Sequence, residues 1–349
     1  MKNKVKNFFV LFFVFIILML LLFDPKTGKT GVLSGLLLSG RVIIPSLFMF
    51  SFVVIFCTKA GVASNFIFLN KFSLCLLGLD FYEFYIFILS LIGGYPIGIK
   101  LLNEAVKEGN IQKNRAKELS CFFISSGPGF CVSVIGESFF NSRLIGIILF
   151  VSQILSAIIL STIFIKKSCV NKIYSFNSQK LADCFVKSVY DTSSTLINVS
   201  SFVILFSFIT EYCIKASSRI KILSVLPYFL EITNAVTLTR NIYIISFLLG
   251  FGGISVMFQV ISIADSFDVN FLKLFTIRVL TGIFSCGFTK LFIKLFKVNY
   301  ATLSTTQNFA KQDFFSGPSV AVCLFLTVTV FMISIISKKY AGKILEDMI

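Results

Sequence analysis

"CFFISSGPGFCVSVIG", residues 121–136, is an uncharged run with Ser125-Ser126-Gly127-Pro128-Gly129 in its middle. Crossing the hydrocarbon core of a bilayer as a helix takes about 20 apolar residues. Lipid supplies no water to the backbone groups that a broken helix leaves free. Five helix-weakening residues at that depth therefore need cover, either from packed protein or from a water-filled cavity.

The rest of the chain sets the same context. Of its 349 residues 56 % are hydrophobic, and the mean hydropathy is +0.92, far above a soluble domain. Uncharged runs occur at 7–23, 42–58, 84–99, 119–136, 144–165, 192–210, 241–264 and 314–337. Shorter apolar stretches at 61–79, 222–239 and 274–296 are interrupted by single charges. The expected fold is an all-α polytopic membrane protein with roughly eight to ten helical spans. Continuous runs exclude a membrane β-barrel, whose strands would alternate. The segment MKNKVK and Phe8 to Phe23 has the charge pattern of a signal peptide, but it runs into "DPKTGK" without a small-residue cleavage site. It reads as an uncleaved first span.

Net charge is +16, from 32 Lys and Arg against 16 Asp and Glu. The basic residues cluster between spans, at 100–117, 166–187 and the start. That distribution holds topology, with these segments cytoplasmic, and gives no reason to expect nucleic acid as a partner. Nine cysteines form no CxxC pair and read as small buried hydrophobes. The chain lacks histidine, which excludes His-dependent hydrolysis and HExxH zinc chemistry. "FDPKTGKTG" lacks the first glycine of a phosphate-binding loop and reads as a polar loop between spans. Asp265 and Asp268 have no second acidic cluster and read as a solvated turn. No enzyme activity and no cofactor are expected.

A rough repeat appears when the irregularities are set out in order. The first half has a run broken by Pro45, then "LSLIGGYPIGIKLL" at 90–102 and "ISSGPGF" at 124–130. The second has "DTSSTLINVSSFVILFSFI", then "LPYFLEITNAV" at 226–236 and "LLGFGGISVMFQ" at 248–259. Each half closes on a long apolar segment. The expected organisation is an anchor at 1–29, repeats at 30–165 and 188–300 joined by a basic cytoplasmic linker at 166–187, and a C-terminal span with a basic tail at 301–349. Paired halves with discontinuous helices are a common plan of secondary transporters. Free N–H groups at broken helices suit an anionic ligand. The expected site joins Gly94, Tyr95, Ser125, Ser126 and Gly127 with Gly252, Gly253, Ser255 and Gln259. The competing reading is a kinked helix whose glycines allow tight packing.

Glu231, with Thr233 and Asn234 beside it, has no basic residue nearer in sequence than Lys221 and Arg240. An acid at membrane depth is costly unless protonated, paired or in a cavity. A substrate contact, H+ or Na+ coupling, or a re-entrant tip reaching water would each account for it. Asp191 and Arg41 read as interfacial, and Lys100 as a loop residue or a charge at the site's mouth.

"IPSLFMFSFVV", "GGYPIGIKLL", "SSGPGF", "LEITN" and "FLLGFGGISVMFQV" resemble the nucleoside-recognition (Gate) domain family, in its sporulation integral membrane protein branch, from about residue 30 to 300. The resemblance implies a fold related to concentrative nucleoside transporters, with inverted repeats and hairpins. It also implies passage of dipicolinic acid from mother cell to forespore across the outer forespore membrane. The matching positions are Pro45, Gly94, Tyr95, Pro96, Gly98, Ser126, Gly127, Pro128, Glu231, Thr233, Asn234, Gly252, Gly253, Ser255 and Gln259. Met49, Ala235 and Gly129 depart from the pattern. The expected partners are therefore a small anionic substrate, dipicolinate, and the lipid bilayer. A nucleoside carrier and a non-transporting scaffold for spore cortex assembly are the alternatives.

Overall fold

The structure, a computed structural model, describes residues 2–64, 70, 73, 74, 77–165 and 180–298. Every regular element among them is helical. The expected C-terminal span at 314–337 and most of the basic linker lie outside the described residues. Among the described residues, five helices are long and apolar enough to cross a membrane: Pro25–Lys59, Arg143–Phe164, Leu181–Ser217, Ile242–Ile263 and Phe271–Leu295. The chain is an all-α, multi-pass integral membrane protein.

Helix α1 (Lys2–Phe23) ends at Asp24, which starts α2 (Pro25–Leu38). The "DPKTGKTG" stretch is thus helical, a correction to the expected polar loop. Asp24 Oδ1 accepts from Thr27 N at 3.3 Å, and Pro25 occupies the first turn, where its missing N–H is no loss. Gly31 and Gly35 then face helix α8 (Leu181–Ser217) at backbone contact. A Cβ on Gly35 would lie 2.6 Å from Ile204 Cα, so small residues set this crossing. A π-turn at Ser39–Ile43 precedes Pro45 and passes into α3 (Ile44–Lys59). Widening the helix there relieves the clash of the proline ring with the preceding turn.

Two of the uncharged runs and the shorter 222–239 stretch are built from short pieces. The 84–99 run forms α4 (Phe81–Gly93), stops, and resumes as α5 (Ile97–Lys107). After α6 (Lys113–Leu119), the 119–136 run is non-helical through Ser125 and Ser126 and enters a π-helix at Gly129–Phe139. The 222–239 stretch holds a 3-10 turn, α9 (Leu226–Leu230) and α10 (Ile232–Leu238), none long enough to span. The last third is α11 (Ile242–Phe251), α12 (Gly253–Ile263) and α13 (Phe271–Leu295), the first two bent at Gly252.

The order of packing recurs between halves. Helix α3 packs on α4 and α8 on α9, each beside a broken hairpin. Helix α7 (Arg143–Phe164) then covers the π-helix, and α13 covers α11. Both crossings are glycine on glycine, Gly136 against Gly146 and Gly250 against Gly282, where an added Cβ would meet backbone at 2.7 and 2.6 Å.

Candidate functional site

In the first half, Gly94 ends α4 with φ +73°, a conformation that favours glycine. It lies on Gly127: a Cβ there would be 2.8 Å from Gly127 N. Two breaks in the chain are therefore stacked backbone to backbone. Gln153 of α7 covers the free polar groups of the second break. Its Oε1 accepts from Ser126 Oγ at 2.6 Å and Ser126 N at 3.2 Å, while its Nε2 donates to Ser126 O at 2.9 Å. One amide side chain thus satisfies the backbone of Ser126 where lipid cannot.

The second half repeats this stacking with different chemistry. Glu231 separates α9 from α10, and its carboxylate caps α10 by accepting from Asn234 N at 2.9 Å and from the Thr233 hydroxyl. Asn234 Nδ2 donates to Ser207 Oγ of α8 at 2.7 Å. Gly253, φ +86°, lies against this break, with Leu230 O 3.3 Å from where its Cβ would be. One turn on, Gln259 Nε2 donates to Ser255 Oγ at 3.3 Å.

The two halves meet around one cavity of about 30 Å³, room for about two waters. Tyr95, Gly127, Glu231, Thr233 and Gln259 line it, with apolar cover from α3 and α8. Five of the twelve expected site residues therefore form its wall. Gly94, Ser126, Asn234, Gly252, Gly253 and Ser255 stand behind it, shaping the breaks or holding their partners. The Ser125 hydroxyl is buried without a hydrogen-bond partner among the described residues. Lys100 lies within α5, a correction to the loop reading, and does not line the cavity. It donates to Asp191 O at 2.8 Å and Thr195 Oγ1 at 2.9 Å, and Asp191 pairs with Lys59 at 2.9 Å.

Near the breaks, Tyr95 and Arg278 also bond across the halves. The Tyr95 hydroxyl donates to Leu249 O at 3.1 Å. Arg278 of α13, only 2 % exposed, donates from Nε to Phe251 O at 3.2 Å and from Nη1 to Ile124 O at 2.6 Å. Arg278 and Gln153 were not among the residues expected from sequence. Arg278 carried the signal applied to Glu231, an isolated charge in an apolar run. Gln153 carried a weaker one, an amide at the centre of an otherwise apolar span.

The chain is similar to the sporulation integral membrane protein YlbJ of Bacillus subtilis (strain 168), with 25 % identity over 60 % of this chain and 64 % of that protein. The match spans less than two thirds of YlbJ. No protein-family model matches the chain, and no solved structure does. Sequence motifs, helical architecture and this similarity agree on a multi-pass membrane protein related to a protein of sporulation.

Proposed function

We propose that this protein is a transporter of a small anionic metabolite, with dipicolinate moved from mother cell to forespore as the substrate. The observation that carries the reading is the cavity between the halves, where Tyr95 and Gly127 from one pair of breaks face Glu231, Thr233 and Gln259 from the other. Irregular backbone from two repeats around a midpoint cavity is how many secondary transporters build their sites. Glu231, 1 % exposed and in the cavity wall, is the group for H+ or Na+ coupling, because its charge is costly at that depth unless a cation joins it. The protein itself carries out no chemical conversion. The resemblance to sporulation membrane proteins supplies the choice of dipicolinate.

The test is deletion of the gene in its spore-forming host, with dipicolinic acid measured separately in forespores and mother cells. Low forespore content with synthesis intact is expected, rescued by wild type and not by Glu231→Gln at equal membrane level. Normal forespore content would overturn the assignment and favour a scaffold role.

A further inference from the structure

Arg278 makes two hydrogen bonds, both to carbonyls, one at the end of α11 and one just before Ser125. A guanidinium has five N–H donors, and Arg278 Nη2 is buried with no partner. No acid among the described residues pairs with it. A neutral amide has two N–H donors and could hold two carbonyls, so the positive charge goes beyond what the backbone requires. An uncompensated buried charge costs several kcal/mol, and at membrane depth such a residue marks a ligand or ion path.

A second observation points to the same place. Ser125 directly follows Ile124, whose carbonyl Arg278 holds, and its hydroxyl is also buried without a partner. Two unused donors therefore flank one carbonyl at the junction of the halves. Tyr95 links this junction to the cavity: it lines the wall, and its hydroxyl bonds Leu249 O, on the helix end that Arg278 caps. Glu231 lines the same cavity, so an anion entering beside it meets a like charge unless a cation stands close.

We propose that Arg278 is the anion-binding residue of this site, its Nη2 and the Ser125 hydroxyl receiving a carboxylate of the transported molecule. The inference rests on the transport reading and names the chemistry that selects the substrate. A guanidinium donates short, charge-assisted bonds to a carboxylate and none to a hydroxymethyl group in its place with comparable strength. The site then selects aromatic or aliphatic carboxylates over neutral molecules of the same shape.

The test uses the full-length protein purified in detergent, with melting temperature followed against added dipicolinate and against its neutral isostere 2,6-pyridinedimethanol. Dipicolinate should raise the melting temperature of wild type and the diol should not. Arg278→Gln should weaken the apparent affinity at least tenfold, with Arg278→Lys between the two. Equal stabilisation by the diol, which needs no variant, would overturn the proposal, and so would wild-type affinity in a folded Arg278→Gln. Isophthalate, succinate and phosphate separate the two readings. Stabilisation by isophthalate or succinate but not by dipicolinate, lost in Arg278→Gln, keeps Arg278 as the carboxylate site and overturns dipicolinate as substrate, whereas a response to phosphate alone overturns the carboxylate assignment. No response to any of the four anions overturns the Arg278 assignment, whatever the deletion strain shows.

Discussion

At the scale of single residues, side chains from distant helices supply the hydrogen bonds that broken backbone loses. Gln153 serves both polar backbone groups of Ser126, so Gln153→Leu leaves a buried N–H without a partner and a buried C=O with only a long contact from Cys131 Sγ at 4.0 Å. Each costs about 1–3 kcal/mol, and the purified variant should melt several degrees below wild type; an unchanged melting temperature would mean the break is satisfied elsewhere. Glu83 poses a similar case outside the site. It is fully buried and accepts from Arg115 Nη2 at 2.7 Å and Nε at 2.8 Å, while forming a capping box with Asp80. Glu83→Gln should destabilise by about 3–5 kcal/mol, since it leaves the arginine charge poorly compensated. Loss of the protein from the membrane fraction would report it. Glu231 was legible from sequence because a lone acid in an apolar run has few explanations. Gln153 was not, because a single amide in a span gives no hint of what lies opposite it.

At the scale of elements, glycine decides where helices touch. Gly250 and Gly282 bring α11 and α13 to backbone contact, and Gly287 on the same α13 has nothing within 4 Å among the described residues. The prediction is a contrast on one helix. Gly282→Ala, whose Cβ would meet Phe247 O at 2.8 Å, should lower the yield of folded protein. Gly287→Ala should be neutral or stabilise by about 0.5–1 kcal/mol through helix propensity. Chemical melting of both variants checks it, and equal behaviour would show that the close crossing is not what glycine provides. The punctuation of these elements was visible in the sequence: the breaks fall at Gly94, Ser125 to Pro128, Glu231 and Gly252, as their residue types suggested. What those breaks touch was not. Stacking of Gly94 on Gly127 joins residues more than 30 positions apart, and local sequence carries no record of such a contact. The "DPKTGKTG" helix was misread for the opposite reason, since its local composition favours a loop while Asp24 capping and α8 packing favour a helix.

At the scale of the whole molecule, polar contacts tie the pieces together at both ends of the long helix α8. At one end Asp191 holds Lys59 and Lys100. At the other, Lys215 donates to the Asp24 carboxylate, and the Tyr212 hydroxyl donates to Leu20 O at 2.9 Å and Asp24 O at 2.7 Å, fixing α1 to α8. The hydrogen bond from Lys215, aided by Thr27, lowers the Asp24 carboxyl to about 2. A depressed acid contributes stability above its unfolded pKa near 4 and loses it as pH falls toward 2. This attachment should therefore be unchanged between pH 7 and 5. Asp24→Asn should loosen it across this range, seen as faster labelling of a cysteine placed at Leu22, and equal labelling would place the hold of α1 elsewhere.

The small cavity between the breaks has an electrical consequence. A gap with room for about two waters cannot give an ion the hydration it would lose on leaving bulk water, and a bare charge at that depth is expensive. In this state the cavity between the described halves offers an ion no hydrated path. Vesicles containing the protein should hold a potassium diffusion potential as long as protein-free vesicles do, and a faster decay would mean that ions pass through the breaks.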